Sequence, residues 1–369
     1  MLRNAVAVLL TGVLSSCASA PAPSPERTST NSVVTTTEPF FKGPSIQLPG
    51  VPFKAADAVL DVWMFDVGQG ACVVIDCPDR DRPLLVDCGY TTPSVHRTKE
   101  QSVQQVKEKV GSLGSPSIVI SHPDLDHYGL VADVVAAKDV GGVWFGGRRS
   151  GFSPTFETWL NAVKPANGGV NALATEFFGP DFAGLHCGSA KVDILAANAV
   201  NSPDPKKKNG DSVVLAVTYG DVTLILPGDA EGPTEALALS NRTKLPRLMK
   251  TQAVVVGSHH GAHTAGSNSK DWALTWRPIV TVFSMTPKAY RHPQCDVVER
   301  YAIYMPKISD TFSFACGATE MTQVEVSNRF LSTHVNGDML FRISATRMVV
   351  YCQTTGPACA NRLSADTIS

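Results

Sequence analysis

The sequence predicts an α/β fold in which two β-sheets lie face to face between layers of helices. Short strands joined by turns come first, strands and helices alternate after them, and 43% of the 369 residues are hydrophobic, enough for one large core. Only 18% of the residues are charged and the net charge is −1, which argues against nucleic-acid binding through overall charge. No apolar run reaches the roughly 18 residues of a membrane span.

The N-terminal segment is predicted to be an export signal. Arg3 gives a positive start, and residues 5–14 form an apolar stretch of signal-peptide length. The stretch ends in Leu-Ser-Ser before Cys17, which resembles a bacterial lipobox, so that Cys17 would be acylated and become the mature N-terminus. The alternative is an ordinary secretory signal cut at Ala18 or Ala20. Either interpretation takes the chain out of the cytoplasm.

On this interpretation the chain has four segments. Residues 1–16 are the lipoprotein signal peptide, and residues 17–57, rich in Ser, Thr and Pro, are a flexible linker. Residues 58–352 are a single folded domain, and residues 353–369 are a C-terminal tail. The predicted location is the bacterial cell envelope, on its periplasmic or extracellular face, with the lipid anchor in the membrane.

Eight cysteines remain besides Cys17, and an even number in an exported protein favours disulfides. The sequence contains no C-x-x-C pair, which argues against a structural zinc knuckle. Cys352 and Cys359 form the simplest local bridge, and the other pairings stay open.

The folded part is predicted element by element from its hydrophobic pattern. Period-two alternation and short apolar runs predict strands, and apolar residues at helical spacing, such as Val103, Val106 and Val110, predict helices. The predicted strands are 59–66, 72–76, 84–87, 117–121, 142–145, 191–196, 212–219, 222–227, 252–257, 279–283, 322–327, 338–343 and 347–352. The predicted helices are 99–113, 128–137, 155–164, 232–240, 268–275 and 295–305.

The strongest chemical signal directly follows the strand at 117–121. His122, Asp124, Asp126 and His127 fall within six residues, and a loop leaving a strand end can turn all four side chains inward. Imidazole together with carboxylate suits zinc, manganese or iron. A polar strand-to-helix turn with an aspartate cap would explain one carboxylate, but not two histidines and two aspartates. The pattern therefore predicts a metal site.

This loop belongs to a series of motifs that resembles the metallo-β-lactamase superfamily. The other motifs, in order, are residues 66–70 (DVGQG), 84–89 (LLVDCG), 226–231 (LPGDAE), 256–261 (VGSHHG) and 291–293 (RHP). The set is similar to the extracellular metallo-β-lactamase-like domain of the competence channel protein ComEC, over residues 59 to about 300. The resemblance implies an αββα metallo-β-lactamase-type sandwich.

The resemblance also implies a centre of two divalent ions, zinc or manganese, that activate a bridging water to hydroxide. One ion would take His122 and Asp124, and the other Asp126 and His127. The remaining roles are Asp229 as the bridging carboxylate, His259 or His260 completing the second site, and Asp87 orienting the loop. One histidine usual in the superfamily is missing, so that either Asp211 ligates in its place or the first ion is held weakly.

The implied function is an exported metal-dependent hydrolase, a phosphodiesterase or nuclease whose substrate is nucleic acid or another phosphodiester polymer. Asp126 would receive a proton and His292 would contact the reacting phosphate. Lys206, Lys207 and Lys208 precede the expected site and would attract a polyanion, although such runs are usually solvated loops. Two alternatives stay open: a lactonase or other ester or amide hydrolase, and a non-catalytic module that binds DNA or an envelope polymer. No obligate protein partner is indicated.

Overall fold

The computed structural model describes residues 45–47, 58–80, 82–165, 168–174, 184–204, 208–317, 320–354 and 359. Cys17, Lys206, Lys207, the predicted signal peptide and most of the predicted linker and tail lie outside these residues. The described part of the chain forms the αββα sandwich that the sequence predicts.

The first sheet has nine strands. They are β1 (Ser45–Gln47), β2 (Leu60–Met64), β3 (Cys72–Asp76), β4 (Leu84–Cys88), β5 (Ser117–Ile120), β6 (Gly142–Phe145), β7 (Val170–Ala172), β16 (Met339–Ile343) and β17 (Met348–Cys352). Their order is β1-β17-β16-β2-β3-β4-β5-β6-β7. Neighbours are antiparallel from β1 to β4 and parallel from β4 to β7.

The second sheet has six strands in the described residues. They are β8 (Lys191–Ala196), β9 (Val214–Tyr219), β10 (Val222–Leu226), β11 (Gln252–Val256), β12 (Val280–Phe283) and β15 (Phe330–Ser332), in the order β15-β12-β11-β10-β9-β8. β10, β11, β12 and β15 are parallel to one another. A separate antiparallel hairpin joins β13 (Phe312–Gly317) and β14 (Met321–Val326).

Helices of the described residues are α1 (Lys99–Leu113), α2 (Leu125–Tyr128), α3 (Val131–Val134), α4 (Pro154–Asn161), α5 (Gly232–Arg242), α6 (Lys270–Trp276), α7 (Pro287–Tyr290), α8 (Cys295–Tyr304) and α9 (Thr333–Asn336). Of these, α1, α3 and α4 cover the outer face of the first sheet, and α5, α6 and α8 cover that of the second. The α1 helix begins with a capping box in which Thr98 and Gln101 satisfy each other's backbone N–H groups.

The alternation of side chains along β5 shows how the layers are built. Val119 packs in the core between the two sheets, whereas Ile118 and Ile120 pack on the opposite face, in the cluster that includes α1, α3 and α4. Successive strand residues point to opposite faces, so a strand covered on both sides is apolar throughout. A third cluster packs α5, α6 and α8 against the second sheet.

The helix predicted at 128–137 is wrong, because the chain forms the short helices α2 and α3 there instead. Gly129 separates them, and the N–H of Leu130 donates to the carbonyl oxygen of Cys88 in β4 rather than continuing the helix. The apolar spacing of the segment is real, but its residues pack as two turns against the sheet.

Four strands of the structure were not predicted: β1, β7, β13 and β15. Three of them are only three residues long, too short for a periodic signal. The predicted linker of residues 17–57 contains the strand β1, whose residues pair with β17 at the sheet edge. The predicted tail is also bound at its start, where Gln353 accepts a hydrogen bond from the Arg97 guanidinium.

The eight remaining cysteines form four disulfides, as their even number predicts. The pairs are Cys72–Cys88, Cys77–Cys187, Cys295–Cys316 and the predicted Cys352–Cys359. Cys72 and Cys88 lie opposite each other in the β3–β4 pairing, a register that the sequence does not reveal. Such pairs are typical of proteins in an oxidising compartment. Among the described residues, no helix has the length and apolar character needed to cross a membrane.

Candidate metal centre

The metal loop, residues 121–127, leaves the first sheet at the end of β5. All four residues of β5 are buried, and the chain turns at Ser121 and His122 before Asp126 and His127 enter the single turn of α2. Gly89, just after β4, packs directly against this turn, and a Cβ atom there would lie 2.3 Å from the Leu125 carbonyl oxygen. The metal loop thus packs directly on the end of β4.

Asp87, near the end of β4, holds the metal loop in place. One carboxylate oxygen accepts a 2.7 Å hydrogen bond from the Ser121 backbone N–H, and the other accepts one of 2.8 Å from Ser121 Oγ. The second oxygen also lies 2.8 Å from Nδ1 of His127. A proton shared on that side leaves Nε2 as the atom of His127 that is free to bind an ion. Asp87 thus contacts both the start of the metal loop and the imidazole of His127.

Asp229 reaches the metal loop from the second sheet. It follows β10 through Gly228, whose φ is +56° and where a Cβ atom would lie 2.4 Å from Cβ of Ser121. A residue with a side chain could not make this turn so close to the loop. Glycine at this position therefore lets the two sheets bring their aspartates and histidines together.

The carboxylate of Asp229 lies between two sets of imidazoles. Its Oδ1 is 3.0 Å from Nε2 of His127 and 3.6 Å from Nε2 of His260. Its Oδ2 is 3.8 Å from Nε2 of His122 and 3.5 Å from Nε2 of His259. Both carboxylate oxygens of Asp229 therefore face imidazoles, and its role as a bridging ligand stays a prediction.

His259 and His260 follow β11 in the left-handed backbone region, with φ of 49° and 57°. Such conformations cost on the order of 1–3 kcal/mol and often occur at functional sites. Nδ1 of His260 donates to the Ser284 carbonyl oxygen at 2.7 Å, and its Nε2 lies 3.4 Å from Oδ2 of Asp126. His259 is more open and has its Nδ1 3.1 Å from Oγ1 of Thr264. Of the two histidines, His260 is the one that joins the buried ligands.

Within the described residues, two groups of three side chains could hold an ion. They are His122, His127 and Asp229, and Asp126, His127 and His260; in each group the ligand atoms lie within 4.8 Å of one another. The buried Nε2 atoms of the three histidines and Oδ1 of Asp229 make no hydrogen bond of acceptable geometry. Buried polar atoms without partners are costly. The residues therefore fit a divalent metal with imidazole and carboxylate ligands.

The electrostatics of the centre also favour a cation. Burial would raise the pKa of Asp229, but His127, His259 and His260 hold it well below its usual range. Burial would lower the pKa of His127, but Asp229 and Asp87 raise it well above its ordinary value. A positive charge is thus strongly stabilised at Nε2 of His127, and an ion bound there would displace a proton.

Of the two aspartates expected at the first site, Asp124 lies beside His122 and Asp211 is in neither ligand group. The carboxylate of Asp124 is one-third exposed, with Oδ2 3.3 Å from Nε2 of His122 and Oδ1 2.9 Å from Nζ of Lys208. Asp211 joins neither ligand group, because its carboxylate accepts hydrogen bonds from the backbone N–H groups of Asn201 and Ser202. In the structure the Asp211 carboxylate holds the loop of residues 201–202, and its role as a ligand in place of a missing histidine stays a prediction.

The ligands open into a cavity of about 650 Å³ that His292 and Tyr290 also line. His292 is buried, its ring centroid is 6.1 Å from that of His259, and its Nδ1 has no hydrogen-bond partner. Burial, helped by the nearby histidines, lowers the pKa of His292 to about 3, so the ring is neutral at neutral pH. The Tyr290 ring stacks on it with 5.8 Å between centroids.

Sequence reasoning missed Glu235, which supports the histidine loop. Its fully buried carboxylate accepts hydrogen bonds from Ser258 Oγ (2.9 Å), the Asn268 N–H (2.7 Å) and the Ser269 N–H (2.9 Å). Ser258 directly precedes His259. The available signal was a glutamate three residues before Ala238, on the face of α5 that packs against the sheet.

Comparison with known proteins agrees with this geometry. A family model described as the metallo-beta-lactamase superfamily matches residues 65–167, a stretch that contains Asp87 and the whole metal loop. The matched stretch is similar to the metallo-β-lactamase superfamily. Asp229 and His260, which follow the matched stretch, come from the second half of the same sandwich.

The proteins to which the chain is similar are distant from it in sequence. The chain is 25% identical to ComE operon protein 3 of Bacillus subtilis over 252 residues, which covers 65% of this chain and 30% of that protein. The metallo-beta-lactamase fold protein YhfI from Bacillus subtilis is 10% identical with a TM-score of 0.44, covering 77% of this chain and 100% of that one. A variant of CmlA beta-hydroxylase is 13% identical with a TM-score of 0.35, covering 64% and 47% of the two chains.

Replacing Glu235 with glutamine is expected to change how stability depends on pH. Burial raises the pKa of Glu235 from 4.5 to about 7, although its three hydrogen bonds oppose the rise. Between these pH values the native protein keeps a proton that the unfolded chain has lost, so the unfolding free energy falls as pH rises. The fall attributable to Glu235 is up to about 3 kcal/mol, and Glu235→Gln should lack it.

Urea unfolding across this pH range, with a chelator present to remove metal linkage, measures the effect. Glu299→Gln, at an exposed site on α8, is the matched control and should follow the wild type. Superimposable pH profiles for wild type and Glu235→Gln would show that Glu235 is ionised throughout.

Proposed function

We propose that the protein is an exported metal-dependent phosphodiesterase or nuclease. The observation that supports this most is that Asp126, Asp229 and His260 line one wall of a cavity whose rim carries an exposed aromatic ring, with His127 buried beside Asp229. A divalent ion supplies a Lewis acid and lowers the pKa of water when bound at such ligands. Every other contribution comes from the protein's own side chains.

The imidazoles and carboxylates have distinct tasks in this proposal. Nε2 of His127 and of His260 are oriented by Asp87 and by the Ser284 carbonyl group, so they present lone pairs without rearrangement. Asp126 keeps its pKa below the ordinary value despite burial, because His260 and His127 stabilise its charge. It is therefore ionised and placed to receive a proton from an attacking water.

His292 is proposed to bind the phosphoryl group. Because it is neutral, its ring donates one N–H hydrogen bond and cannot act as a cationic acid. It lies beside His259 on the cavity wall, within reach of a group held at the ligands. A donor at that point would stabilise charge that develops on a phosphoryl oxygen.

The cavity rim favours a substrate with flat apolar groups next to its phosphates. Tyr290 is 61% exposed and Leu125 is 54% exposed, and both line the cavity. Aromatic rings at the mouth of a site stack on unpaired bases, at about 1–3 kcal/mol per base. This feature supports single-stranded nucleic acid over a small lactone. The contribution of Lys206 and Lys207 stays a prediction, since both lie outside the described residues.

Hydrolysis of bis(p-nitrophenyl) phosphate is the direct test of the chemistry. Wild-type protein should cleave it, and treatment with a chelator or the change His127→Ala should lower kcat/KM by at least about 100-fold, because the site loses several kcal/mol of charge stabilisation. Asp271→Asn, exposed on α6, is the control and should keep full activity.

Full hydrolytic activity in metal-free protein would refute this mechanism. Failure to cleave phosphodiesters together with opening of lactones or β-lactams would establish the alternative hydrolase. Absence of any turnover with retained binding of DNA would establish a binding module.

Tyr290→Ala tests the substrate class. The change should reduce kcat/KM on single-stranded oligonucleotides roughly 5- to 100-fold, since stacking on a base is lost. An abasic strand of equal length has no base to stack and should be cleaved equally by both proteins. Tyr290→Phe keeps the ring and should restore the rate. Ile303→Ala removes an equally exposed apolar side chain on α8 and should have no effect.

Equal losses on both strands would instead mean that Tyr290 only maintains the shape of the site. No loss on either strand would exclude base stacking at this rim.

The proposed location is the cell envelope, with the chain anchored by acylated Cys17. The disulfides fit an oxidising compartment, and the anchor itself rests on the sequence pattern alone. Cys17→Ser should move the protein from the membrane pellet to the soluble envelope or culture fraction, as followed by immunoblotting. Unchanged pelleting of the variant would contradict lipid anchoring.

A further inference from the structure

The carboxylate that supports the metal loop comes from an irregularity in the β3–β4 pairing. Cys72 pairs with Cys88, whereas the next residue of β3, Val73, pairs with Val86. Asp87 is therefore an extra residue on β4, and its φ of +51° lies in the left-handed region. Such a β-bulge bends the strand, and bulges next to active sites commonly redirect a side chain. Here the redirected side chain is the carboxylate that contacts the metal loop.

The faces on which the β4 side chains lie agree with the bulge. Val86 packs in the core between the sheets, and Leu85 packs on the opposite, helix-covered face. Strict alternation from Val86 would put Asp87 on the helix-covered face and Cys88 between the sheets. Cys88 instead lies on the helix-covered face, together with Cys72. The extra residue has thus moved Cys88 to the other side of the sheet.

The bulged backbone has a cost. A left-handed φ is unfavourable for a residue other than glycine, and a bulge interrupts the ladder of hydrogen bonds between two strands. The contacts of the Asp87 carboxylate with Ser121 and His127 oppose this cost. They form once the metal loop is in place, whereas a link between the two strands would fix the register independently of the loop.

The Cys72–Cys88 disulfide is such a link. It joins two side chains on the same face of the sheet, and both cysteines are at most 1% exposed. Without the extra residue, the two side chains would point to opposite faces, and cysteines whose Cβ atoms point apart cannot be bridged. The disulfide is therefore compatible with the bulged register and excludes the regular one.

The residues next to the disulfide contact the metal loop from both strands. The Ala71 N–H donates to the Asp126 carbonyl oxygen at 2.9 Å, and the Gly89 N–H donates to the Ala71 carbonyl oxygen at 3.0 Å. The Cys88 carbonyl oxygen accepts a hydrogen bond of 2.9 Å from the N–H of Leu130, which follows α2. A shift of either strand at this point would therefore shift the backbone of the metal loop.

We propose that Cys72 and Cys88 are positioning residues of the metal centre, because their disulfide locks the bulge that presents Asp87 to His127. In this role the disulfide increases the affinity for metal and does not merely stabilise the fold. The inference rests on the metal-binding part of the proposed function and is independent of which bond is cleaved.

The test compares the affinity for Mn²⁺ after different disulfides are removed. Full-length mature protein is stripped with a chelator, and the Kd for Mn²⁺ is measured by isothermal titration calorimetry. Cys72→Ala/Cys88→Ala should raise the Kd about 10- to 100-fold, the loss typical when the support of a metal ligand is removed. Cys72→Val/Cys88→Ala serves if thermal melting shows that the first variant is unfolded.

Cys77→Ala/Cys187→Ala is the matched control, because Cys77 directly follows the other end of β3. Its disulfide spans 110 residues, against 16 for Cys72–Cys88, so its removal should cost at least as much stability. The control should nevertheless keep the wild-type Kd. Hydrogen exchange of the metal-free proteins, followed for a peptide covering residues 121–128, should be faster without Cys72–Cys88 and unchanged in the control.

A double-mutant cycle decides whether the disulfide acts through Asp87. Asp87→Asn should also raise the Kd, and combining it with Cys72→Ala/Cys88→Ala should raise the Kd by less than the product of the two separate effects. Fully multiplicative effects, an unchanged Kd without Cys72–Cys88, or an equal loss in the control would each overturn the inference.

The outcomes also separate this inference from the proposed function. Wild-type protein that binds no Mn²⁺ would overturn both. The expected pattern of Kd values in a protein that cleaves no phosphodiester would overturn the phosphodiesterase proposal and leave the positioning role of the disulfide in place.

Discussion

The carboxylate of Asp87 is the contact on which the metal centre depends, although it binds no ion itself. Its hydrogen bonds from Ser121 fix the direction in which the chain leaves β5, and its contact with Nδ1 of His127 fixes which ring nitrogen faces the cavity. Hydrogen bonds to a buried charge contribute about 1.5–3 kcal/mol each. Without that carboxylate, a backbone N–H and an imidazole would be buried without an acceptor. Nε2 of His127 would then no longer be directed at Asp229.

The ligands of the metal loop could be predicted from the sequence, because they lie close together in the chain. His122, Asp126 and His127 lie in one loop, and the apolar run before them predicts the strand that presents them. The sandwich itself follows from strands such as β5, whose alternate residues face two different cores. The position of Asp229 followed from the resemblance, since the apolar strand before it only places an aspartate at a strand end.

The features that could not be predicted from the sequence depend on contacts between residues far apart in the chain. The contact of Asp124 with Lys208, more than eighty residues away in the sequence, depends on the path of a loop. Asp211 follows the pattern of a ligand, but its carboxylate accepts hydrogen bonds from two nearby backbone N–H groups. The same limit applied to the disulfides, because Cys72 and Cys88 meet only through the register of two strands.

The edge position of β1 has a mechanical consequence. β1 joins the sheet through only three residue pairs with β17, and β17, β16, β2 and β3 separate it from β4, where Asp87 lies. A pulling force applied to the chain ahead of β1 would therefore load those few edge hydrogen bonds first. Peeling β1 away would leave an eight-stranded sheet whose central strands still carry the ligands. Loss of the β1 pairing by itself would therefore leave the strands next to the histidines and aspartates in place.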